Sequence, residues 1–159
     1  MTHSKLPIYL ILLLSVTILF SSCDRGPLYE NYQKMKNSTW DRFDNKFFEI
    51  PVEDATTKFD ITFVVHCNEK FVYDNLPFYV ILTTPSGEER MREVTVPVKE
   101  NGKLILDPES KKSEARIVLW KNINLAAKGK CKLSIENMIP KIQTEGIDEI
   151  GIIVARSKE

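Results

Sequence analysis

Beyond its first 25 residues the chain holds one histidine, His66, and two cysteines, Cys67 and Cys131. One imidazole and two thiols fall short of the four ligands of a structural zinc site, and no Cys-x-x-Cys or His-x-x-x-His spacing gathers them. His66 lies on the polar phase of a strand-like stretch, where an exposed imidazole is commoner than a ligand or base. The sequence has no Gly-x-Ser-x-Gly elbow, no phosphate-binding loop and no glycine-rich dinucleotide turn. Carboxylates are plentiful, but Glu88-Glu89 flanks a turn and Asp107 to Glu114 (DPESKKSE) reads as a mixed-charge loop. Two carboxylates that meet only in space leave no trace in a sequence, so a two-carboxylate hydrolase is the catalytic class left open. No catalytic residue, metal site or cofactor follows from the residues themselves.

The third cysteine is different. Residues Leu6 to Phe20 form an apolar run (LPIYLILLLSVTILF) behind a short positive start at Lys5. Fifteen residues at about 1.5 Å each span about 22 Å, short of the roughly 30 Å hydrocarbon core of a bilayer. That length suits the apolar region of a signal peptide better than a transmembrane helix. Phe20-Ser21-Ser22-Cys23 then places small residues directly before a thiol, an arrangement that resembles the lipobox of bacterial lipoproteins. Phe20 stands where leucine is usual, with Leu19 one step earlier. The expectation is a signal peptide over 1–22 and a mature chain starting at lipidated Cys23. Each buried methylene contributes about 0.8 kcal/mol, so two or three acyl chains hold a protein durably on a membrane. Asp24 and Arg25 follow, and no acidic run comes after Cys23, which favours the periplasmic face.

Without residues 1–22 the chain has 137 residues and carries 21 Lys and Arg against 22 Asp and Glu, a net charge of −1. That is the size of one domain, and the balance offers neither a nucleic-acid footprint nor a polybasic membrane patch. With 43% hydrophobic residues the chain can build a core. Residues 23–44 read as a polar tether with aromatics at Tyr29, Tyr32, Trp40 and Phe43, and residues 45–159 as the folded domain.

Within that domain the dominant period is two. Phe59, Ile61, Phe63, Val65 and Cys67 share one phase, while Asp60, Thr62 and His66 share the other. Phe78, Val80 and Leu82 alternate before the turn signal Thr84-Pro85-Ser86-Gly87. Val94, Val96 and Val98 lead to Asn101-Gly102, a strong hairpin dipeptide, then to Leu104 and Leu106. Phe47 to Val52, Ile117 to Leu125, Cys131 to Ile135 and Ile150 to Val154 bring the count to about eight strands. Only Pro140 to Gly146 has the character of a helical turn. Short alternating strands at this spacing predict an all-β fold, a two-sheet antiparallel β-sandwich of jelly-roll type.

The chain also resembles a known family. Tyr32 with Trp40 after the lipidated cysteine, Tyr73-Asp74-Asn75-Leu76, Pro85-Ser86-Gly87, Gly129, Met138 and the closing Gly146-Ile147-Asp148-Glu149-Ile150-Gly151-Ile152 are similar to the GldH family of gliding-motility lipoproteins of Bacteroidetes. The resemblance spans nearly the whole mature chain. It implies an outer-membrane lipoprotein of the gliding or type IX secretion apparatus, facing the periplasm, with envelope proteins as partners and no enzymatic activity. It carries over no catalytic residue. Cys67 and Cys131 depart from the family pattern.

Three candidate features remain. Cys67 and Cys131 both fall on inward phases, compatible with a disulfide across the sandwich or with two buried free thiols. Phe71, Val72, Tyr73, Leu76, Phe78 and Tyr79 crowd one connection, and exposed rings there would make a partner surface, with Tyr73 and Phe78 as anchors and Trp40 as the next choice. The competing reading makes these rings a core plug. A coplanar row of exposed rings, Trp120 among them, would instead favour a glycan-binding lipoprotein, whereas a flat apolar patch rimmed by charge would favour protein contacts.

Overall fold

The computed structural model describes residues 26–108, 112–125 and 127–157; the lipobox and Cys23 lie outside them. Among these residues run twelve strands: β1 Tyr29–Lys34, β2 Thr39–Asp41, β3 Lys46–Val52, β4 Phe59–Cys67, β5 Asn75–Thr83, β6 Glu89–Pro97, β7 Lys99–Glu100, β8 Lys103–Leu104, β9 Ala115–Ile123, β10 Gly129–Asn137, β11 Gln143–Glu145 and β12 Ile147–Arg156. Eight of them form two antiparallel four-stranded sheets, β1-β12-β4-β9 and β3-β10-β5-β6. Counted along the chain, those eight lie 1-8-3-6 in one sheet and 2-7-4-5 in the other, which is the order of a jelly roll. The remaining strands are two small pairs, β2 with β11 and β7 with β8.

The period-two pattern is cashed out as burial. Phe48, Ile50 and Val52 of β3, Leu76, Phe78, Val80 and Leu82 of β5, and Cys131, Leu133 and Ile135 of β10 meet Ile61, Phe63 and Val65 of β4 and Ile150, Ile152 and Val154 of β12. The Phe63 and Phe78 rings touch across the two sheets at 4.4 Å between centroids. A side chain bridges the two sheets on each open side. The Gln33 amide of β1 donates to the Phe47 carbonyl of β3 at 2.6 Å, and the Arg92 guanidinium of β6 donates to the Leu119 carbonyl of β9. β1, β9, β3 and β6 remain the edge strands of their sheets.

Two expectations change and one open alternative closes. Residues 29–41 belong to the folded domain and not to a tether: β1 pairs with β12 from Tyr29↔Val154 to Lys34↔Glu149, and Trp40 is completely buried. An edge strand needs only one neighbour, so a polar stretch with an aromatic every few residues can complete a sheet. Pro140 to Gly146 holds a strand and no helical turn, because β11 pairs with β2. Cys67 and Cys131 are free thiols. Cys67 sits at the Ile147 end of β4, while Cys131 pairs with Ile50, which lines the opposite end beside Phe59 and Ile61. Six residues of β4 separate those ends, about 20 Å, against the roughly 7 Å limit for a bridge. Burial pushes the Cys67 thiol up to about 12 and the Cys131 thiol to about 11. Asn101-Gly102 makes the expected two-residue hairpin between β7 and β8.

Candidate functional site

The rings expected to form a partner surface divide into two groups. Phe71, Phe78 and Trp40 have no exposed surface and belong to the core. Tyr73 and Tyr79 are half-buried, Tyr73 at the end of the sandwich and Tyr79 on the outer face of β5. The connection is therefore a plug of the core with one ring at its rim. The reason is phase: Phe71 tucks beneath Gly146, and Phe78 shares the inward side of β5 with Leu76 and Val80.

His66 is half-buried on the outer face of the first sheet. Its Nε2 lies 3.1 Å from Glu114 Oε2 and its Nδ1 lies 3.0 Å from Glu149 Oε1. The imidazole thus ties β4 to β12 and to the segment entering β9. The Tyr32 ring stands 5.8 Å from it, over Gly151, where any β-carbon would come within 2.3 Å of the ring. Burial first, then a hydrogen bond to Glu30, pushes the Tyr32 hydroxyl up to about 12. The imidazole held between two carboxylates, with the Tyr32 ring beside it, makes a polar clamp across β1, β4, β12 and the entry to β9. Among the described residues no cluster of three or more His, Cys, Asp or Glu could hold a metal ion.

The outer face of the second sheet is the more informative surface. Register places Phe47, Ser134, Ile81 and Met91 in one row across β3, β10, β5 and β6. Phe47 is 64% exposed and Met91 63% exposed. On one side runs the row Glu49, Lys132, Thr83 and Glu89, and on the other Glu136, Tyr79 and Glu93. Lys130 reaches Glu49 at 2.7 Å and holds that carboxyl below its usual range. Asn45 donates to Glu136 at 3.0 Å. The row is apolar but for Ser134 and is rimmed by charge, with four carboxylates against two ammonium groups. Sequence reasoning passed over Phe47, Ile81 and Met91. The available signal was that all three are apolar on the outward phase of their strands.

The chain is thus a jelly-roll domain with a polar clamp on the outer face of one sheet and a row of exposed apolar side chains on the outer face of the other. Residues 27–154 match the family model described as GldH lipoprotein, and the chain belongs to that family. It is 27% identical over 149 residues to the gliding motility lipoprotein GldH of Flavobacterium johnsoniae, covering 89% of this chain and 91% of that one. A gliding motility lipoprotein GldH homolog of Christiangramia forsetii is 25% identical over 148 residues, 88% of this chain and 90% of the relative. Among solved structures, the GH115 4-O-methyl-α-glucuronidase BtGH115A has a similar fold over 86% of this chain and 18% of its own, with a TM-score of 0.50 and 14% identity. That likeness concerns the fold alone.

Proposed function

We propose that this protein is a lipid-anchored envelope component that acts by holding other proteins of a gliding or type IX secretion apparatus, without catalysis of its own. The observation that carries the reading is the Phe47–Ser134–Ile81–Met91 stripe with its charged rim. Its net negative rim disfavours an anionic bilayer as the occupant and leaves a protein surface as the better match. Family membership supplies the process. The glycan-binding alternative has less support, since both tryptophans are buried, Trp40 fully and Trp120 with 8% exposure.

The test replaces Phe47 and Met91 together by glutamate. Both side chains are mostly solvent-exposed, so the domain should keep its fold and its place in the membrane. Photocrosslinking from position 134 in native membranes should lose its protein adduct, because interface anchors contribute about 2 kcal/mol or more each, roughly 30-fold in affinity. An adduct of undiminished yield would move the interface off this face.

The anchor is testable apart from the face. Leu28 donates to the Val154 carbonyl at 2.7 Å, which pins the chain to the sandwich five residues after Cys23. Five residues reach at most about 18 Å, so acyl chains on Cys23 would hold the Val52–Phe59 end of the domain close to the membrane. Among the described residues no helix is long and apolar enough to cross one. Cys23→Ser should release the protein into the soluble envelope fraction. Full retention of that variant with membranes stripped of peripheral proteins would remove lipidation from the account.

A further inference from the structure

The end of the sandwich that carries Tyr73 holds a second, independent feature. A concavity of about 350 Å³ opens between the 70–73 segment and β11, lined by Lys70, Val72, Tyr73, Lys141, Gln143 and Glu145. Its size lies within the range of ligand sites. Its walls are tied backbone to backbone. Asn68 donates its amide to the Gly146 carbonyl at 2.9 Å, Phe71 donates to the Asn68 carbonyl at 3.0 Å, and Gly146 donates to the Ser38 carbonyl at 2.8 Å. The Asn68 side chain adds bonds to Asp148 Oδ1 at 2.6 Å and from the Lys70 amide at 3.0 Å.

One wall is an open sheet edge. Among the described residues β11 pairs with β2 alone. The bonds from Arg42 to the Ile142 carbonyl and from Gly146 to the Ser38 carbonyl identify residues 142, 144 and 146 as those facing β2. Antiparallel pairs alternate, so the peptide groups of Gln143 and Glu145 point away from β2. Among the described residues those groups meet no backbone partner. Both walls supply charge, Lys70 from the 70–73 segment and Lys141 from the residues leading into β11. Lys70 and Lys141 form no salt bridge among the described residues, and the Lys141 ammonium stands 5.9 Å from the Tyr73 ring centroid. Against these two cations the slot holds one carboxylate, Glu145.

We infer that this slot binds an extended, acidic segment of a protein partner, which adds as a strand to the free edge of β11 while its carboxylates meet Lys70 and Lys141. Strand addition takes affinity from main-chain hydrogen bonds and selectivity from alternate side-chain contacts. Here the open Gln143 and Glu145 peptide groups supply the first and the two ammonium groups the second, with exposed Val72 as an apolar lip. A sugar acid would share the charge complementarity but would leave the strand edge unused. The inference depends neither on the Phe47–Met91 stripe nor on lipidation.

The experiment uses the full chain in detergent micelles and capped hexapeptides of alternating aspartate and valine. The peptide should bind and shift the amide resonances of Gln143 and Glu145. Lys70→Glu combined with Lys141→Glu, both at exposed positions, should weaken binding at least tenfold with the melting temperature unchanged. A peptide with lysine in place of aspartate, or with its central amides N-methylated, should bind at least tenfold more weakly than the parent. The inference is overturned if the N-methylated peptide binds as well as its parent, if the charge-reversed variant binds unchanged, or if no binding occurs at millimolar peptide. It is equally overturned if only polygalacturonate, only phosphatidylglycerol vesicles or only a second copy of the chain occupies the slot.

Discussion

Gly146→Ala should destabilise the domain by about 3–5 kcal/mol, a large part of the 5–15 kcal/mol typical of a folded protein. Gly146 has a φ of +85°, a backbone region where a β-carbon costs about 1–2 kcal/mol by itself. A β-carbon there would also lie 2.0 Å from the Phe71 nitrogen and 2.6 Å from the Lys70 carbonyl carbon. Those atoms are backbone, so relief requires the whole 68–71 turn to move, and the completely buried Phe71 ring moves with it. Gly151→Ala provides the comparison. Its β-carbon would meet the Tyr32 ring at 2.3 Å, but that ring belongs to an edge strand and can rotate away. A loss of about 1–2 kcal/mol is expected there. Urea unfolding of the two variants side by side decides the matter: a Gly151 loss equal to or greater than the Gly146 loss would show that the Phe71 turn yields easily.

Trp40→Ala should cost about 3–5 kcal/mol, the range for removing a large buried aromatic side chain. The indole has no exposed surface, and its Nε1 donates to the Asp44 carbonyl at 2.8 Å. Truncation leaves a cavity under β2 and strands that carbonyl without its donor, and the β2–β11 pair at Thr144↔Trp40 loses its support. Trp40→Phe keeps most of the volume and should lose roughly 1–2 kcal/mol, chiefly the hydrogen bond. The measurement is again denaturant unfolding. A tryptophan on a loose tether would cost nothing on removal, so a Trp40→Ala loss under about 1 kcal/mol would return residues 39–41 to the tether.

These two residues also show how far a linear reading reaches. The alternation in 59–67 and 78–82 identified inward and outward positions of β4 and β5 correctly, because the pleat of a strand is a local property. Asn101-Gly102 specified its hairpin for the same reason: two residues suffice to reverse the chain. Trp40 was misplaced because nothing near it in sequence alternates, and the strands that meet β2, β11 and β12, come about a hundred residues later. Phe78 was offered as an anchor although its neighbours Val80 and Leu82 already gave its phase. The crowding of rings between Phe71 and Tyr79 drew attention to a surface that, in three dimensions, is mostly interior.

By itself the sequence determined the all-β class, seven of the eight long strands (β1 was read as tether) and the resemblance to the family, and it set the expectation of lipidation at Cys23. Each of these is written in contiguous residues, as a period of two, a turn dipeptide or a short run ending in cysteine. Tertiary structure alone decided the rest. The jelly-roll order joins β1 to β12 from opposite ends of the chain, and no local pattern names so distant a partner. Register between β3, β10, β5 and β6 then lines up Phe47, Ser134, Ile81 and Met91, residues scattered over four strands that become a stripe only when the strands pair. The same pairing places Cys67 and Cys131 at opposite ends of the sandwich, since alternation tells a side chain which face to occupy but carries no information about position along the neighbouring strand.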